Sequence, residues 1–242
     1  MKKIVILTVA ILLVTTGISL AIISGSRHDM TVFTSNAAAR MSACQYCHTP
    51  HHANTTTSGD GSAAPLWNRT LPAGSSYTVY GGGVTLSQTT VSAPGTHSLT
   101  CLSCHDGTIG LGDVYTGTDE TLSGSISTQN GGQALTGIGA LAAASTNINF
   151  GNNLTREHPV GVAYRSASFD SNSLAGLRTP DSGMIIKTGK KWKIYGGNDG
   201  TGRVECGSCH DPHGSDRVAG GATAPFLKDT KSTMCTDCHS LK

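Results

Sequence analysis

Cys206-Gly207-Ser208-Cys209-His210-Asp211-Pro212-His213 and, shortly after it, Cys235-Thr236-Asp237-Cys238-His239 decide how this chain is read. Both contain C-x-x-C-H, the spelling of covalent c-type haem attachment. On one helical turn, cysteines at i and i+3 and a histidine at i+4 share a face. That face can hold two thioether bonds to a porphyrin while the imidazole reaches the iron. Working outward, the same spelling recurs as Cys44-Gln45-Tyr46-Cys47-His48 and Cys101-Leu102-Ser103-Cys104-His105, so all eight cysteines are used.

The competing reading is zinc, because C-x-x-C pairs also form zinc knuckles. A knuckle does not need a histidine directly after its second cysteine. Histidine is 10 of 242 residues. Four such placements by chance have a probability of roughly a few in a million, which favours four covalent haem c groups.

Met1-Lys2-Lys3 opens the chain with positive charge, and an apolar run from Ile4 to Ile23 follows. The run is longer than a usual signal core and just long enough to span a bilayer. Residues 1–25 are therefore expected to be a signal peptide, with an uncleaved anchor as the alternative. Haem attachment to C-x-x-C-H takes place outside the cytoplasmic membrane, so export is required either way.

The rest is poor in material for an ordinary core: 31 glycines, 4 phenylalanines, 2 tryptophans and 13% charged residues. Clusters such as Asn54 to Ser62 and Ser123 to Gly132 are turn and loop chemistry. Such a polypeptide alone buries too little apolar surface to offset its chain entropy. Four covalent macrocycles would supply what the side chains lack. The expected fold is mostly irregular coil, with a few short helices at the haem motifs and minimal strand, near Tyr77 to Leu86 or Lys191 to Tyr195. Residues 26–242 are expected to form one compact tetrahaem domain organised around the haems.

Six histidines lie outside the motifs: His28, His51, His52, His97, His158 and His213. An iron with histidine on both faces has no vacant position, which favours electron transfer over chemistry at the metal. His48-Thr49-Pro50-His51 and His210-Asp211-Pro212-His213 share one pattern. Proline ends the turn, and the second imidazole is directed away from its own haem toward a neighbour. His158-Pro159 again places histidine in an extended setting. His28, beside Asp29, is either a ligand or a solvated surface residue. His52 and His97 are weaker candidates that can substitute for one of these, and the surplus of histidines makes methionine ligation secondary.

Taken in order, Arg27-His28-Asp29-Met30, Cys44 to His51, Ala64-Pro65-Leu66-Trp67-Asn68, Cys101 to Thr108, Glu157-His158-Pro159-Val160 and Cys206 to Gly214 resemble the doubled C-x-x-C-H multihaem cytochromes. More narrowly, the chain is similar to tetrahaem extracellular cytochromes that polymerise into conductive filaments. That resemblance implies bis-histidine ligation throughout, with His48, His105, His210 and His239 on one side of the irons and His28, His51, His158 and His213 on the other. It also implies that one distal histidine, His51 or His28, is donated by the neighbouring subunit.

The formal net charge of +2 includes Lys2 and Lys3. Each ferric haem with two ionised propionates brings about −1, so the loaded protein is mildly acidic. No basic stripe indicates nucleic acid. Lys187 to Lys193 is a small basic patch suited to propionates or solvent. Asn68-Arg69-Thr70 and Asn153-Leu154-Thr155 are glycosylation sequons, a weak signal.

Three functions follow from these residues. The first is a non-enzymatic extracellular conduit that polymerises with itself, receives electrons from periplasmic or outer-membrane cytochromes and delivers them to extracellular acceptors. The second is a discrete periplasmic or membrane-anchored carrier. The third, an oxyanion reductase, would need an iron with an open face, and the histidine surplus argues against it.

Overall fold

The computed structural model describes residues 23, 26–33, 41–55, 64, 66–80, 91, 93–117, 141, 148–157, 160–164, 177–178, 180–181, 184–187, 190–196, 202–214 and 226–239. The leader expected over residues 1–25, apart from Ile23, lies outside them, as does His158. Among the described residues no helix is long and apolar enough to cross a membrane.

The described chain is mostly turn and coil, as its composition requires. Helices α1 (Thr96–His105), α2 (Cys206–Cys209) and α3 (Lys231–Cys238) each carry a C-x-x-C segment. Single turns of 3-10 helix lie at Met30–Phe33 and Gly74–Ser76. Strand β1 (Val162–Ala163) pairs antiparallel with β4 (Arg203–Val204), and β2 (Met184–Lys187) pairs antiparallel with β3 (Lys190–Lys193). The strand expected near Lys191 to Tyr195 is β3, while the described part of Tyr77 to Leu86 contributes only the Thr78–Asn153 bridge.

Local sequence explains where each helix starts and stops. Glu205 and Ser208 form a reciprocal capping box at the start of α2, satisfying two backbone N–H groups that the first turn leaves open. At the end of α1, Asp106 accepts from the Thr108 N–H at 2.9 Å and its hydroxyl at 2.7 Å. Gly107 follows at φ +74°, the left-handed position that ends helices and favours glycine. A Cβ there would run into the Asn149 side chain and the Leu141 carbonyl.

The motif of Cys44 is a single turn, with the Cys47 and His48 N–H groups both donating to the Cys44 carbonyl at 3.2 and 2.8 Å. In the first, third and fourth motifs the chain straightens at the histidine. His48, His210 and His239 form isolated antiparallel bridges with Trp67, Leu227 and Leu177. Each histidine N–H still reaches the carbonyl four residues back, at 2.8, 3.0 and 2.9 Å. The helical turn is thus complete up to the imidazole, and only α1 carries its histidine inside the helix.

The apolar interior is divided into small clusters. Met41, Tyr46, Leu111 and Leu141 pack with Cys104 at their edge. Tyr77, Leu99, Leu102 and Leu154 back α1. Tyr164, Ile185, Trp192 and Ile194 pack against Cys209 and Cys238. Every cluster therefore abuts a haem motif, which is the arrangement expected where bound macrocycles complete the interior. Leu111 packs with Met41 and Tyr46 around the first motif, and Val162 pairs with Val204 just before the third.

Candidate haem-binding site

The cysteines join the motifs in sequence order. The Cys47 thiol is pushed up to about 12 by burial and then by nearby Cys104, linking the first motif to the second. Cys101 and Cys206 hydrogen-bond to each other, which raises Cys101 and lowers Cys206, linking the second to the third. Cys238 is pushed up to about 12 by burial and then by Cys209, linking the third to the fourth. All eight cysteines are free of disulfides. Thioether formation consumes these thiol protons.

Two imidazole pairs have a ring separation that an axial pair would have. The rings of His28 and His105 are centred 6.1 Å apart, and those of His48 and His213 5.9 Å apart. Two imidazoles bound to one metal, each through a bond of about 2 Å, have ring centres about 6 Å apart. In the first pair His105 Nδ1 lies 2.7 Å from the Ile148 carbonyl oxygen and His28 Nδ1 lies 3.4 Å from that of Pro212. A carbonyl only accepts, so both protons belong on Nδ1 and both Nε2 lone pairs are left for iron. Burial lowers both histidines, His28 to about 4, so they are held in the neutral form that coordinates a metal.

Aromatic side chains fix these rings. Phe226 stacks on His28 at 4.3 Å and 10°, and Phe150 lies beside His105 at 5.4 Å and 17°. Phe226 holds this place at φ +62°, a strained conformation for a bulky residue. Its carbonyl accepts the Asp211 N–H at 2.8 Å, tying the ring to the segment that carries His213. Trp67 meets His48 edge-on at 5.7 Å and donates from Nε1 to Ser103 Oγ at 3.2 Å.

The remaining histidines behave differently. His51 and His52 are exposed, His52 at φ +58°. His97 packs its ring on Tyr195 at 4.2 Å. His210 and His239 stand at the ends of α2 and α3 in extended backbone.

Other polar atoms fit a bound haem. The Nε groups of Arg69 and Arg178 and the Trp192 Nε1 are buried donors without an acceptor. Arg178 donates its backbone N–H to the Cys238 carbonyl at 2.9 Å, and Trp192 packs in the cluster that holds Cys209 and Cys238. Buried donors are almost always paired, and propionates are the acceptors a haem would add. Trp192 lies in the Lys187 to Lys193 patch suited to propionates, whereas Arg69, Arg178, Phe226 and Glu205 stand in no motif that marks them. The one available signal was a lone arginine after Leu66-Trp67-Asn68. As a sequon that site is closed: Asn68 is fully buried and donates to the Gln45 and Thr116 carbonyls at 2.6 and 2.8 Å.

Residues 200–242 match the family model of the doubled CXXCH motif. That match supports a multihaem c-type cytochrome. It covers the third and fourth motifs, whose C-x-x-C-H spellings mark covalent haem c attachment and an electron-transfer protein. No curated protein matches the cytochrome chain.

Proposed function

We propose that this cytochrome is an extracellular electron conduit with four bis-histidine haems, whose subunits polymerise through a histidine donated by one copy to the next. The observation that carries the reading is two pairs of imidazoles, His28 with His105 and His48 with His213, whose rings are centred 6.1 and 5.9 Å apart. Bound haem supplies one-electron redox chemistry. The polypeptide fixes the ring planes, keeps the imidazoles neutral and excludes water from the sulfur contacts. With His28 assigned to the iron of His105 and His213 to that of His48, the irons of His210 and His239 take His158 and one histidine from another copy.

His51 suits the last role. It is exposed beside the first motif, and Leu66 and Tyr115, the large apolar residues exposed among the described ones at 57% and 51%, lie on the same stretch of surface. The Leu66 carbonyl accepts from Thr49, and the His51 carbonyl accepts from Thr116 next to Tyr115. Closed iron faces also favour a carrier over an enzyme. The partners are then further copies of the chain, an upstream periplasmic or outer-membrane cytochrome and an extracellular acceptor, with export directed by the leader.

Electron microscopy of the secreted fraction under native expression tests the polymer, and filaments are expected. Their absence, with four low-spin haems in the soluble protein, leaves the discrete carrier. A high-spin haem in assembled material would instead mean an open iron face and overturn bis-histidine ligation throughout.

A further inference from the structure

Arg69 is fully buried, and neutral groups hold it. Nη1 donates to the Leu111 carbonyl at 2.6 Å, and Nη2 to those of Gly110 at 2.5 Å and Ser103 at 3.4 Å. Nε is buried without an acceptor. Among the described residues no carboxylate pairs with Arg69, and it is the one cation among the buried charged side chains. Burying a charge without an opposite one is costly.

Its position is specific. Residues 66–69 run beside the first motif through the His48–Trp67 bridge and an Asn68 N–H bond to the Cys47 carbonyl at 2.8 Å. From there the guanidinium crosses to Ser103, inside the second motif. Acids gather at the other three motifs. Buried Asp106 follows His105, and buried Asp29 follows His28. Buried Glu205 precedes Cys206 and accepts from the Gly95 N–H at 3.2 Å and from the Ser98 hydroxyl, while buried Asp211 follows His210. Asp237 is buried within the fourth motif. Lys228, bonded to the Gly207 carbonyl at 2.9 Å, tempers the third motif. The first motif, Cys44-Gln45-Tyr46-Cys47-His48, contains no acid.

We propose that Arg69 gives the haem on Cys44, Cys47 and His48 the highest reduction potential in the chain. This rests on the reading that all four motifs carry haem. Reduction adds negative charge to the haem, so a nearby cation stabilises the reduced form and a nearby anion destabilises it. In a buried setting the effect exceeds that of a surface charge. A propionate meeting Arg69 Nε acts in the same direction, because its own charge is then neutralised. Asp211 opposes the effect, its Oδ1 lying 3.6 Å from His213 Nδ1, but the His213 side chain is 48% exposed and solvent screens that pair. An electron entering the chain therefore settles at the end that carries exposed His51.

The test is a spectroelectrochemical titration of holoprotein, with haem counted by pyridine haemochrome and spin state followed by EPR. In Arg69→Gln the highest of the four midpoints falls furthest, and those of the third and fourth motifs hold. Arg69→Lys, which keeps the charge, restores it. An unchanged highest midpoint in Arg69→Gln with four low-spin haems overturns the proposal. Fewer than four haems in the wild type overturns the underlying reading instead. Should Arg69→Gln fail to accumulate, Glu205→Gln is decisive: lower midpoints rise and the highest stays, whereas a rise confined to the highest midpoint refutes the assignment.

Discussion

His48-Thr49-Pro50-His51 and His210-Asp211-Pro212-His213 are spelled almost alike and end differently. Both turn locally on a polar side chain: Thr49 Oγ1 donates to the His51 carbonyl at 2.7 Å, and Asp211 Oδ1 accepts the His213 N–H at 3.0 Å. In both, the second imidazole leaves its own motif. His213 then faces His48 at 5.9 Å, in the other half of the molecule, whereas His51 is exposed. The lesson is that a local pattern can direct a ligand away from one iron without saying which iron receives it. The receiver depends on what the fold brings opposite.

The sharpest way to break this comparison is to exchange the fates of the two histidines. If the proposed pairing of His48 with His213 holds, His213→Ala is expected to leave about one haem in four high-spin. That figure is for assembled material; in unassembled subunits the haem that takes its ligand from a neighbour should be high-spin as well. His51→Ala should leave the isolated subunit's spectrum unchanged and abolish polymerisation. Absorption, EPR and electron microscopy on the two variants check both outcomes, and identical behaviour would mean the segments are equivalent after all.

A smaller effect separates enclosed from exposed ligands. His28 is held near 4 by burial, below its ordinary 6.5, so in acid the unfolded chain takes up a proton that the folded chain does not. The sign follows: His28's contribution is fully present above about 6.5 and is lost as pH falls toward 4. Iron at Nε2 competes with that proton, so in the haem-loaded protein acid should release the imidazole only at or below the low end of this window, seen as a rise in high-spin haem, whereas His28→Gln should have one high-spin haem at every pH.

The smallest effect concerns the turns themselves. Asp211→Asn replaces a charged acceptor by a neutral one in the turn that carries His213 and should cost roughly 0.5–1.5 kcal/mol. Thr49→Val removes a neutral hydroxyl bond beside an exposed residue and should cost no more than about the same, and less if water replaces it. Comparing thermal midpoints of the two variants would show whether the His213 turn is the more tightly held.

Most of the architecture was legible in the residues. Few aromatics, many glycines and four C-x-x-C-H spellings pointed to short helices at the motifs and little else, and the described chain has that form. Part of the local geometry was legible too. Proline at 50 and 212 signalled where the chain leaves the turn, although in three motifs it straightens already at the histidine. The role of Arg69 was hidden, because a single arginine in a polar stretch looks solvated until its neighbours are known. Phe226 gave no sign of stacking on His28, since the two are far apart in sequence and meet only through the Asp211 turn.

By itself the sequence determined the haem chemistry, since thioether attachment requires two cysteines and a histidine within one turn, a contact of short range that spacing alone specifies. Only the tertiary structure decided which imidazoles face each other, which sulfurs adjoin and which motif lies beside the buried cation. Those relations join residues far apart in the chain, and they come from packing around small clusters that carry no periodic signal.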